Sequence, residues 1–156
     1  MKKFSAALAI VAAFGVTAPA FAAEVRAQDP ASVVSALQKG GYKAQLTTDS
    51  SGDPFIHSAT NGSDFEIFFY GCTDNRDCRT IQFHSGYQDP AMTLQSMNSW
   101  NAEHRFGRAY LDSKGVARIE MDIDLDDGGI SQELFEDNVE FWTSVMADFE
   151  EQVWGS

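Results

Sequence analysis

Cysteine is nearly absent from this chain, with Cys72 and Cys78 the only two among 156 residues. A thiolate zinc site would need two further Cys or His ligands close by, and there are no other cysteines to supply them. Cations are scarce as well: 11 Lys and Arg face 23 Asp and Glu, a formal net charge of −12. A surface of that sign repels phosphates, has no cluster of cations with which to release counterions from nucleic acid, and is repelled by anionic lipid. Neither nucleic acid nor an anionic membrane is therefore expected as a partner. The sequence also lacks a Gly-rich phosphate loop and the H-E-x-x-H, G-x-S-x-G and S-x-x-K patterns. Its three histidines, His57, His84 and His104, are isolated in sequence, and its carboxylates are too numerous for a catalytic pair to stand out. No enzyme activity, cofactor or metal is expected.

What is present begins with the N-terminus. M-K-K precedes an apolar segment from Phe4 to about Val16, and T-A-P-A-F-A follows, the three-part order of a secretory signal peptide with Ala20 and Ala22 as its small residues. The apolar segment is shorter than the roughly 20 residues a membrane-spanning helix needs, and no later segment is longer. Residues 1–22 are thus expected to be removed and the protein to reach the periplasm or the exterior. Loss of Lys2 and Lys3 takes the cations from 11 to 9 against 23 acids, a net charge of −14. In an oxidising compartment, two cysteines flanking five polar, turn-prone residues in C72-T-D-N-R-D-C78 are expected to form a disulfide that closes a local loop.

The remaining 134 residues suit one compact domain. Residues 23–29 read as a polar leader and 30–154 as the domain. Asp29-Pro30 opens a helix with Val33, Val34 and Leu37 on its apolar face, and Gly40-Gly41 ends it. Strand-like runs follow at Tyr42–Thr48, Pro54–Thr60, Asp64–Gly71 and Arg79–Tyr87, with Asn61-Gly62 as a hairpin turn. Asp89-Pro90 opens a second helix to about His104; strands at Gly107–Asp112 and Val116–Leu125 come next, and a long helix starts at Ser131. The order α-β-β-β-β-α-β-β-α predicts an α+β domain with helices packed on an antiparallel sheet.

Three stretches invite functional readings. D122-I-D-L-D-D-G-G-I-S-Q-E133 resembles a calcium loop, yet its sixth place is Asp127 rather than glycine and no helix precedes it. Met121, Ile123 and Leu125 alternate with Glu120, Asp122, Asp124 and Asp126, which predicts a strand with one buried and one acidic, solvated face. On the last helix the apolar residues cover about 160°, wider than the roughly 100° of one-sided packing. This is either a helix sunk deep against its own sheet or a face, with Phe141, Trp142, Val145 and Phe149, that meets a partner or a second copy in a homodimer. In the middle helix Met97, Trp100 and His104 share one stripe, while Asn98, Asn101 and Arg105 share its neighbour. Asn98, Trp100, Asn101, Arg105 and Arg108 form either a structural set that satisfies backbone groups or a polar recognition strip.

F68-F-Y-G-C72, I81-Q-F83, M97-N-S-W-N101, R105-F-G-R-A-Y-L-D112 and D122-I-D-L-D-D-G-G-I-S131 together resemble the YbjN family of bacterial sensory transduction regulators. The resemblance covers about residues 30–150 and implies a fold similar to type III secretion chaperones: compact, often dimeric domains that bind protein segments without catalysis. The expected function is an exported, non-enzymatic protein- or peptide-binding domain using an exposed sheet edge or the last helix. The rival expectation is a periplasmic binder of a small ligand or of calcium.

Overall fold

The computed structural model describes residues 24–88 and 91–155; the expected signal peptide lies outside them. Eleven elements follow in order: β1 (Glu24–Val25), α1 (Pro30–Lys39), β2 (Lys43–Thr48), β3 (Pro54–Thr60), β4 (Ser63–Tyr70), β5 (Thr80–Tyr87), α2 (Leu94–Glu103), β6 (Arg108–Leu111), β7 (Ala117–Asp124), β8 (Ile130–Ser131) and α3 (Gln132–Trp154). The fold is α+β, as expected, with a six-stranded antiparallel sheet in the order β2-β3-β4-β5-β7-β6 and a two-stranded β1-β8 pair.

The leader is not outside the domain: β1 pairs with β8, and Val25 and Ala27 are fully buried in the core. A two-residue strand is too short to leave a period-2 signal in the sequence. The second helix is described from Leu94, capped by Thr93, whose hydroxyl accepts from the Ser96 N–H while the Ser96 hydroxyl accepts from the Thr93 N–H. This is a capping box with serine in the place where Glu or Gln is the usual signal, so the Thr93 start was not legible; Asp89 and Pro90 lie outside the described residues.

Period 2 sorts the sheet into two faces. Ile56, Phe65, Ile67, Phe69, Ile81, Phe83, Ile119 and Met121 point to the helices and make the core with Val33, Leu37, Trp100, Phe135 and Trp142. Trp142 stacks on Phe83 with ring centroids 5.6 Å apart and meets Phe65 edge-on at 6.2 Å. Phe149 lies edge-on to Trp100 at 5.0 Å, so α3 touches the sheet on one side and α2 on the other. Contact with two neighbours explains its wide apolar arc, and it corrects the interface reading for three of four residues: Trp142, Val145 and Phe149 are buried in this chain's own core. Phe141 alone is exposed, against Phe106 at 4.9 Å.

Trp142→Ala is expected to cost about 3–5 kcal/mol in urea unfolding, because a large aromatic leaves a cavity between α3 and the sheet. Trp142→Phe should cost much less, since the Trp142 Nε1–H is buried without a hydrogen-bond partner among the described residues.

Candidate functional site

Among the described residues no helix packs on the other sheet face, and the strand register writes a single row across it. Gln45 on β2 stands opposite His57 on β3, His57 opposite Glu66 on β4, Glu66 opposite His84 on β5, His84 opposite Glu120 on β7, and Glu120 opposite Arg108 on β6. Side chains directly opposite on one face approach within about 5 Å, so alternating charge along such a row is mutually supporting. His84 Nδ1 lies 3.1 Å from Glu66 Oε2, and Arg108 Nη2 donates to Glu120 Oε2 at 2.8 Å. The sequence placed Glu120 on a solvated face; instead it is buried, 5% exposed, because Arg108 and the neighbouring strands close over it. Asp122 and Asp124 are exposed as expected.

Beside this row Phe55 and Phe68 pack at 4.7 Å, and Phe68 meets the His84 ring edge-on at 5.4 Å. Tyr70 donates to Gln82 Oε1 at 3.3 Å, and Gln82 donates to Asp122 Oδ1 at 2.8 Å. The face is therefore partly dry and internally hydrogen-bonded. It encloses a cavity of about 460 Å³ lined by His57, Asp64, Glu66, His84, Gly86 and Arg118. His57 and His84 do share a face, yet among the described residues no group of three or more His, Cys, Asp or Glu is placed to hold a metal ion.

The recognition strip is divided by the fold. Trp100 is core, with its indole N–H donating to the Gly107 carbonyl at 2.8 Å. Asn101 reaches the outer backbone of β6: its Nδ2 donates to the Ala109 carbonyl and its Oδ1 accepts from the Ala109 N–H, both at 2.9 Å. Its amide thus stands where a neighbouring strand would pair and closes that edge of the sheet, which is the structural alternative for the strip. Asn98 and Arg105 are exposed, Arg105 near the Phe106 ring, and Arg108 belongs to the helix-free face.

The opposite edge differs. The Asp49 N–H bonds to the Asp53 carbonyl, and alternation along β2 then turns Thr47, Gln45 and Lys43 toward β3 and Ala44, Leu46 and Thr48 outward. The Ala44 carbonyl accepts from Gln38 at 3.4 Å; the outward groups of Leu46 and Thr48 have no partner among the described residues, and Leu46 is 45% exposed. Cys72 and Cys78 form the expected disulfide. Its loop is tied to the β2–β3 turn by Asn75, which donates to the Ser51 carbonyl at 3.0 Å and to Asp53 Oδ1 at 2.9 Å.

A family model described as "Putative bacterial sensory transduction regulator", YbjN, matches residues 29–153. The chain belongs to the YbjN family. No curated protein and no solved structure matches it, so the likeness to type III secretion chaperones remains an implication of family resemblance. Membership of YbjN supports a sensory or regulatory role at a coarse level. Among the described residues no helix is long and apolar enough to cross a membrane. The residues of this YbjN domain that line its helix-free face, Asp64, Glu66, Gly86 and Arg118, were not singled out from sequence, because only strand register brings them together.

Two measurements check the site. Asn101→Leu leaves the Ala109 N–H and carbonyl unpaired and is expected to cost about 1–3 kcal/mol, with faster amide exchange at Ala109. The Glu66 carboxyl is held below the ordinary glutamate value, chiefly by its hydrogen bond with His84, against burial and with help from the charges of His84, His57 and Arg118. A lowered folded-state value means that the carboxylate stabilises the fold above the ordinary glutamate range and loses that contribution as pH falls through the lowered value. Glu66→Gln should flatten this part of the acid limb in a stability-versus-pH series.

Proposed function

We propose that this YbjN member is an exported, non-enzymatic regulator that binds an extended protein segment as an added strand along β2. The observation that carries the reading is the unequal treatment of the two sheet edges. One is closed by the Asn101 amide, while the other presents outward groups unpaired among the described residues and an exposed Leu46. Natural sheets blunt exposed edges with charge, proline or bulges, and β2 has only Lys43, at its first position. A bare edge pairs readily with an extended segment, whose main chain supplies affinity and whose alternate side chains supply specificity.

The six residues of β2 span about 20 Å at the rise of a strand. A segment of similar length would place every second side chain beside Leu46 and the others beside Gln45 and Thr47. The chain's net charge of −12 favours a partner carrying Lys or Arg. The loop stapled by Cys72 and Cys78 braces the β2–β3 turn through Asn75, and a disulfide in that place suits the oxidising compartment that the N-terminal sequence indicates.

Selection of random peptides displayed on phage against the immobilised protein tests the reading. The expected peptides alternate apolar and polar residues and carry cations. Leu46→Pro removes an outward donor without breaking a bond to β3, and should weaken their binding by at least about tenfold, while Phe141→Ser leaves it unchanged. Peptides without alternation, or binding that survives Leu46→Pro and fails in Phe141→Ser, would move the site from β2 to α3.

A further inference from the structure

We propose a second, separate site: the cavity on the helix-free face binds a small zwitterion of α-amino-acid size, seated between the Arg118 guanidinium, which itself lies over Gly86, and the carboxylates of Asp64 and Glu66. Its volume of about 460 Å³ lies within the range that holds small ligands, and its shape has a specific cause. The Gly86 backbone is not in the left-handed region, so conformation does not demand glycine there. Space does: a Cβ at this position would stand 2.4 Å from Arg118 Nη1, because the guanidinium folds back from β7 over β5.

Arg118 is held in that pose. Its Nε and Nη2 both donate to Asp112 Oδ2 at 3.1 Å, which fixes the plane of the guanidinium and leaves Nη1 without a partner among the described residues. Asp112 is in turn gripped by the backbone N–H groups of Lys114 and Val116. Across the cavity the Asp64 side chain is exposed and makes no hydrogen bond or ion pair among the described residues, while its backbone carbonyl accepts from Ser85. Glu66 spends one oxygen on His84 and keeps the other. Neither carboxylate forms an ion pair with Arg118, whose partner is Asp112.

A donor without a partner among the described residues and two carboxylates therefore line one cavity, and the absence of a Gly86 side chain is what lets the Arg118 guanidinium lie back over β5. A simple anion would meet Asp64 and Glu66, and a simple cation would meet Arg118; a molecule carrying both charges satisfies both walls with charge-assisted hydrogen bonds. Because Arg118 reaches back over β5, one strand spacing of about 4.8 Å separates that strand from the one bearing the carboxylates. Charges two bonds apart, as in an α-amino acid, suit such a gap better than widely separated ones. An adjoining cavity of about 240 Å³, which shares His57 and Asp64 and extends over Ala59 toward Lys43, leaves room for a side chain.

Isothermal titration calorimetry on the full chain tests this, with glycine, L-alanine, L-glutamate and L-lysine as probes and acetate, methylamine and 4-aminobutyrate as controls. The expected result is saturable heat with at least one α-amino acid and at least about tenfold weaker binding of all three controls. Gly86→Ala and Arg118→Met should each abolish that heat. Asp64→Asn changes an exposed side chain without partners among the described residues, should leave circular dichroism and the thermal midpoint unchanged, and should weaken binding by at least about tenfold. No saturable heat below about 10 mM, acetate binding as tightly as the amino acid, or undiminished binding by Asp64→Asn would each overturn the proposal.

Discussion

The burial of one α3 stripe against one face of the sheet is the contact on which everything else in this fold depends. Trp142 meets Phe65 and Phe83, Phe135 meets Phe83, and Phe149 meets Tyr87, with Val139 and Met146 buried in the same core, and each large aromatic removed from water contributes roughly 2–3 kcal/mol. Because α1 and α2 join the same layer, every helix among the described residues is used on one side. The second face must therefore make itself acceptable to water with strand side chains alone. It does so by pairing them: glutamate opposite histidine, glutamate opposite arginine, glutamine bonded to aspartate. A helix on that side would have covered the cavity between Asp64 and Arg118, so the one-sided packing of α3 and the presence of a lined, accessible face have a common origin.

The same one-sidedness sets the fate of the two edges. At β6 the chain turns out of α2 through Gly107, and Trp100 donates to the Gly107 carbonyl, which brings Asn101 level with Ala109. An asparagine amide offers one donor and one acceptor in a plane, enough to replace one residue of a pairing strand. At β2 the nearest helix is α1, and its contribution to the edge is the long bond from Gln38 to Ala44. The difference between a closed and an open edge thus reduces to one short planar side chain held rigidly and one long side chain held loosely.

Much of this was legible in sequence because it follows from period. The strand pattern E120-M-D-I-D-L125 places Met121, Ile123 and Leu125 inward, and Ser131 caps α3 through its hydroxyl as the turn chemistry predicts. What period cannot supply is register. Glu120 has the same local alternation as Asp122, yet it lies opposite His84 on one side and Arg108 on the other, and that pairing buries it. The apolar arc of α3 was equally ambiguous, since a helix that touches a sheet and a second helix carries the same sequence pattern as one that touches a sheet and a partner. Phe83 and Trp100 fill those two sides, and only that tertiary packing makes Trp142 and Phe149 core residues.

Charge decides what an open edge of this kind can accept. A bare strand edge offers its unpaired groups to any extended segment, including another copy of itself, and backbone pairing carries little selectivity of its own. A net charge of −12 on each chain opposes the approach of two copies, and it does so at distances up to about 8 Å in physiological salt before screening takes over. A cationic segment feels the opposite sign over the same range, which raises its encounter rate. The surplus of acid that first excluded nucleic acid and anionic lipid as partners thereby acts a second time, as the filter on a site whose hydrogen-bonding groups are otherwise indiscriminate.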